Sequence, residues 1–194
     1  MTGLLILPEW LIVSSLEAPH QGWGARVEGE RITAVGSHSD LLAQFPHDEI
    51  LRANDQVLSP GFVNTHTHLY GVLAHGIPLS RAPEGFWPFL KDFWWTLVED
   101  RIDLPMLKAA VEWQCQQMVK SGVTCFYDCL EAPHSLPGCL DAEAEVVRRH
   151  GLRAILSFEA TQRVSPENGQ LGLQENYDFT RSRPPADLLQ GLLC

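Results

Sequence analysis

From residue 62 onward the chain alternates strand-like and helix-like segments, and that alternation restricts it to a parallel sheet with helical crossovers. Phe62 to His68 reads as a strand. Asp103 to Ser121 carries Leu107, Val111, Gln114 and Met118 at helical spacing, with Asp103 as N-cap, Pro105 in the first turn and Gly122 just past the end. Val123 to Cys129 reads as a second strand. Leu140 to His150 is a second helix, with Leu140, Ala144 and Val147 on one stripe, and Arg153 to Phe158 is a third strand. Parallel strands joined by helices need both faces covered and right-handed crossovers, which makes the architecture α/β.

Residues 1–59 are patterned differently, and Ser59-Pro60-Gly61 marks the change. Ala25 to Glu28 and Arg31 to Val35 flank Gly29-Glu30, which predicts a hairpin. Leu4 to Leu7 and Leu11 to Val13 are two further strand candidates, and Ser39 to Gln44 is a short helical turn capped by Ser39 or Asp40. Together they predict a small antiparallel sheet, too small to stand without something to pack against. The expected organisation is a β-rich portion over 1–59 and an α/β portion over 60–194.

Between the first strand and the first clear helix, Leu69 to Ile102 is long and rich in aromatics: Phe86, Trp87, Phe89, Phe93, Trp94 and Trp95. Such a segment is too apolar for a linker. It reads either as a site-forming loop over the top of a barrel or as aromatics covering a core.

Charge narrows the partners. With 14 basic against 24 acidic residues the formal net charge is −10, which repels phosphate backbones and anionic lipid surfaces. Five scattered cysteines do not resemble a disulfide framework, so reduced thiols and a cytoplasmic setting are expected. The apolar start Leu4 to Leu7 is interrupted by Pro8-Glu9, far short of the ~20 residues that a membrane helix needs.

The stretch that carries chemistry is Pro60-Gly61-Phe62-Val63-Asn64-Thr65-His66-Thr67-His68. Side chains alternate faces along a strand, so His66 and His68 share one face at a backbone separation of about 6.5–7 Å. Two imidazoles so placed can converge on one ion; the bland alternative is a chance pairing in a polar patch, against which stand the Pro-Gly break before the strand and the long loop after it. A catalytic zinc site uses three protein ligands and an open position, so the pair makes half a site. Asn64, two residues earlier on the same face, is the expected neighbour of the ring nitrogens that a metal leaves free.

In these residues the chain resembles the amidohydrolase superfamily, in particular its cytosine deaminase-like and triazine hydrolase-like branch. The likeness lies in Pro60 to Asn64 leading into His66-Thr67-His68, the Val27 to Gly36 hairpin, Gly122-Val123-Thr124 entering the second strand and Gly151-Leu152-Arg153-Ala154 entering the third. Phe158-Glu159-Ala160 and Gly172 to Asn176 are similar to a subgroup of aminohydrolases. The resemblance implies the N-terminal part of a metal-dependent (β/α)8 TIM barrel, preceded by a small β-sandwich segment. Implied too are His66 and His68 as ligands of a divalent metal, zinc first and iron as the alternative. The reaction implied is hydrolysis of carbon–nitrogen bonds in a small nitrogenous or heterocyclic compound by metal-activated water. Further ligands from the fifth, sixth and eighth barrel strands, and a glutamate proton shuttle, would lie beyond this chain. A barrel needs ~250 residues, so the chain reads as the first three or so βα units, ending in an apolar segment, Leu188 to Leu193, that lacks a partner.

Other residues carry open alternatives. His75 faces substrate or is an ordinary loop histidine; Arg81 clamps a substrate carboxylate or is simply solvated. Asp128, at the end of the second strand, is a structural cap or has a catalytic role. Cys125 and Cys129, ~13 Å apart along a strand, are too distant for one ion and read as buried thiols. His134 and His150 read as surface or helix-end residues. No catalytic residue is assigned within the chain itself. The competing function is a non-catalytic module that acts as a structural or interaction partner, and a homo-oligomer is left open for the parent enzyme.

Overall fold

The computed structural model describes residues 2–194, which divide into two compact units, 2–60 and 61–194. In the first, β1 (Leu4–Leu11), β2 (His20–Gln21), β3 (Trp23–Glu28), β4 (Arg31–Ser37) and β5 (Glu49–Leu58) form one five-stranded sheet, with helix α1 (His38–Gln44) between β4 and β5. The β3–β4 hairpin turns at Gly29 as expected. Leu4 to Leu11 is one continuous strand rather than two, and Ser37, one residue before the helix, supplies the cap by accepting the Asp40 N–H. The sheet is mixed and not purely antiparallel, because β5 pairs parallel to β1 from Leu4↔Glu49 to Leu11↔Leu58. Leu5, Leu7 and Leu41 form its small core.

The second unit opens with β6 (Phe62–Thr67), followed by a 3₁₀ turn at Leu69–Ala74 and a π-helical stretch at Phe89–Val98. Then come α2 (Leu104–Lys120), β7 (Val123–Leu130), α3 (Cys139–Arg149), β8 (Arg153–Phe158), α4 (Pro166–Ser182) and β9 (Leu189–Gly191). The strands form one parallel sheet in the order β6-β7-β8-β9. The apolar segment near Leu188 therefore does find a partner. Leu189 to Gly191 pair with Ala154 to Leu156, making a fourth strand beyond three βα units.

Local sequence explains the helix ends. Asp103 caps α2 by accepting the Met106 N–H at 2.8 Å, and Pro105 sits in the first turn where no N–H is needed. Both helix-to-strand turns, after α2 and after α3, pass through glycines at positive φ, Gly122 at 79° and Gly151 at 66°, where a side chain would be strained. The core joins Phe126, Leu130, Ala154, Leu156 and Phe158 of the sheet to Leu107, Val111, Leu140, Val147 and Phe179 of the helices. Among the described residues no helix is long and apolar enough to cross a membrane.

Candidate metal centre and cleft

His66 is the next-to-last residue of β6 and His68 follows its end, so the strand delivers both rings to one place. Their centroids lie 5.3 Å apart with planes at 81°. His68 Nδ1 lies 2.8 Å from the Cys129 carbonyl oxygen of β7. A carbonyl only accepts, so Nδ1 carries the proton and the lone pair sits on Nε2, the arrangement that outer-shell partners impose on zinc-binding histidines. The donor set thus fits a divalent ion as two of the three protein ligands of a catalytic site. Among the described residues no group of three or more His, Cys, Asp or Glu is arranged to hold a metal. Asn64 does not take the role expected of it: its side-chain oxygen accepts the backbone N–H of His66 at 3.2 Å, and the partner of the His68 ring is a main-chain carbonyl instead.

His68 opens onto a cleft of about 360 Å³ lined by Tyr70, Phe86, Leu90, Trp94, Trp95, Glu99, Glu131 and Glu159. The aromatics come from the segment between β6 and α2, so that segment walls the cleft. Glu131 directly follows β7 and Glu159 directly follows β8, side by side because Leu130 pairs with Phe158. Arg163 ties the acids together. Its Nε donates to Glu131 at 2.8 Å, Nη1 donates to Asp100 at 2.9 Å, Nη2 lies 3.4 Å from Glu99, and the guanidinium stacks 4.9 Å from the Trp95 ring centre. Tyr70 donates its hydroxyl to Glu99 at 2.8 Å. Burial, reinforced by the charge of Glu131, pushes the Glu99 carboxyl up to about 8, and burial also raises Glu159.

Glu99, Glu131 and Glu159 as cleft residues, and Arg163 as their partner, were not anticipated from the sequence. For Glu131 and Glu159 a signal existed: residues just past the C-terminal ends of barrel strands face the site. His75 ends the 3₁₀ turn, exposed, and Arg81 lines a separate hollow with Leu79, Pro83, Glu84 and Asp92. Neither lines the cleft beside His68. Asp128 lies inside β7, buried, accepts the Leu69 N–H at 2.7 Å and does not line the cleft beside His68. All five cysteines are free; Cys129 is buried and Cys125 partly so.

A model of the amidohydrolase family matches residues 57–186. The chain belongs to that family. A 5-methylthioadenosine/S-adenosylhomocysteine deaminase of Desulforamulus reducens is 32% identical over 155 residues, covering 77% of this chain and 30% of that protein. A 5'-deoxyadenosine deaminase of Methanothrix thermoacetophila is 33% identical over 131 residues, 68% of this chain and 28% of the relative. The guanine deaminase of Bradyrhizobium japonicum superposes with a TM-score of 0.77 at 18% identity, covering 98% of this chain and 43% of that one. A zinc complex of the atrazine chlorohydrolase of Arthrobacter aurescens gives 0.75 at 16%, covering 98% and 46%. These two likenesses carry the fold: the α/β unit is the opening portion of an amidohydrolase barrel. The chain spans about a third of the length of the curated relatives it matches.

Proposed function

We propose that this chain carries the first half of the metal centre, and one wall of the substrate cleft, of a hydrolase that cleaves carbon–nitrogen bonds in a small, flat nitrogenous compound. The observation that carries this reading is the His66–His68 pair, with His68 locked through Nδ1 and its Nε2 free, at the edge of an aromatic, acid-lined cleft. His66 and His68 would hold a divalent ion, zinc first and iron as the alternative. When bound, such an ion supplies Lewis acidity that lowers the pKa of water from ~15.7 toward ~7.

The remaining roles belong to this chain's side chains. Trp94, Trp95 and Phe86 offer ring faces and edges against which a planar heterocycle stacks while water is kept out. Glu131 and Glu159 accept N–H or O–H donors from it, and Arg163 limits their mutual repulsion. Glu99, raised toward neutrality, keeps its proton through much of the physiological range and so offers a donor. His75 and Arg81 remain candidates for the outer rim of the substrate site, since both are exposed on the segment after β6. Deamination is favoured by the named activities of the two sequence relatives. The net charge of −10 supports small molecules rather than nucleic acid or anionic membrane as partners, and the free thiols suit a cytoplasmic setting.

Zinc titration followed by imidazole ¹⁵N shifts tests the reading. The Nε2 signals of His66 and His68 should move on zinc addition, and His68→Ala should abolish the response. Ammonia release from 5-methylthioadenosine by the zinc-loaded protein carrying these residues in a closed barrel is the matching activity. Histidine signals indifferent to zinc would favour the non-catalytic module instead.

A further inference from the structure

Phe126, Asp128 and Leu130 share the face of β7 that turns toward the helices, and there two acids are sealed in the core. Asp128 is 1% exposed, and Glu143 of α3 is 0% exposed. Each bears directly on the other's ionisation, and both are pushed upward. Neither forms an ion pair with a basic side chain among the described residues. Cys115 of α2, which also feels both carboxyls, is a buried thiol and brings no positive charge. Asp128 has one ordinary donor, the Leu69 backbone N–H at 2.7 Å, whereas both carboxyl oxygens of Glu143 reach no donor at all.

Two bare carboxylates in contact in a dry core are mutually repulsive and unsolvated, while a single proton between them creates a short, charge-assisted hydrogen bond. The surroundings decide which acid keeps it. The Leu69 N–H stabilises the anion of Asp128, and nothing stabilises an anion on Glu143. We infer that Glu143 is a carboxylic acid donating to the carboxylate of Asp128, and that the pair positions His68 by gripping the backbone N–H of Leu69. The next residue along β7 supplies the second grip, since the Cys129 carbonyl holds His68 Nδ1 at 2.8 Å. Position 68 is thereby fixed from two consecutive residues of one strand, and Asp128 and Glu143 are positioning residues. The positioning half of this inference rests on His68 being a metal ligand; the shared proton does not.

The test uses the full 194-residue chain and zinc alone. Infrared difference spectra of wild type against Glu143→Gln should show one carboxylic-acid C=O band at neutral pH that the variant lacks, and absence of the band overturns the shared proton. Glu143→Gln keeps a neutral donor to Asp128, so its zinc affinity and His68 ring signals should match wild type. Asp128→Ala and Glu143→Leu should weaken zinc binding by about 10–100-fold, the range seen when an outer-shell partner is lost, and should spread the His68 ring between tautomers. A purely structural pair would lower the melting temperature and leave the ring signals alone, which overturns positioning. Should the two disruptive variants fail to fold, Glu143→Gln decides: a tenfold loss of zinc affinity there counts against the inference. If wild type binds no zinc, the metal reading falls, while the infrared band and the His68 tautomer still judge the pair.

Discussion

Single atoms decide much of this site. The His-x-His spacing was readable in the sequence because a strand forces both rings to one side. The group that orients His68 was not readable, because a backbone carbonyl has no residue signature and only the β6–β7 register brings Cys129 alongside. Asn64, the side chain expected to serve, is satisfied locally by the His66 N–H. Close packing sets equally sharp limits elsewhere. A Cβ added at Gly191 would lie 2.3 Å from Thr180 Oγ1 and 2.7 Å from Thr180 Cα. Gly191→Ala should therefore destabilise the protein by about 1–3 kcal/mol, as overpacking does, with a matching drop in the urea midpoint and no change in the denaturant slope.

At the level of elements, α4 grips β8 through one buried amide. Asn176 accepts the Phe158 N–H at 2.7 Å and donates to the Phe158 carbonyl at 2.6 Å, in the manner of a neighbouring strand. Asn176→Ala orphans both groups at about 1–3 kcal/mol each, and hydrogen exchange at the Phe158 amide should accelerate in step with the lost stability. Asp103→Ala removes the α2 cap and should cost about 1 kcal/mol, read from the same unfolding curves. α2, α3 and the first three strands of the barrel portion follow from periodicity and end signals. α4 was missed because Gly169 and Gly172 look like helix breakers; they are there because the helix lies against its neighbours, with a Cβ at Gly172 only 2.9 Å from the Phe158 ring. β5 was missed because it is polar and mostly exposed, and its pairing with β1 is invisible to local pattern.

For the whole molecule, buried acids set the response to pH. Glu99 is raised to about 8, by burial first and by Glu131 second, and Glu143 is raised as well. Between the ordinary carboxyl pKa near 4.5 and that raised value the native state binds protons that the unfolded chain has released. Stability consequently falls as pH rises through this window. Melting temperatures measured from pH ~5 to ~8 should decline, and Glu99→Gln should flatten the slope; a rising trend would contradict the assignment. Self-association is a second property at this scale. Among the described residues β6 and β9 each pair on one side only, and Phe62 and Val63 are 65% and 62% exposed. Open edges of this kind recruit other chains, so sedimentation velocity should show mass rising with concentration.

Both holds on position 68 come from β7, at separations of 59 and 61 residues along the chain. During synthesis the ring is aimed once the first crossover has closed, before any later ribosomal product is needed. The aim of the ring is thus set by a contact between neighbouring strands, ahead of α3, β8 and the rest of the sheet.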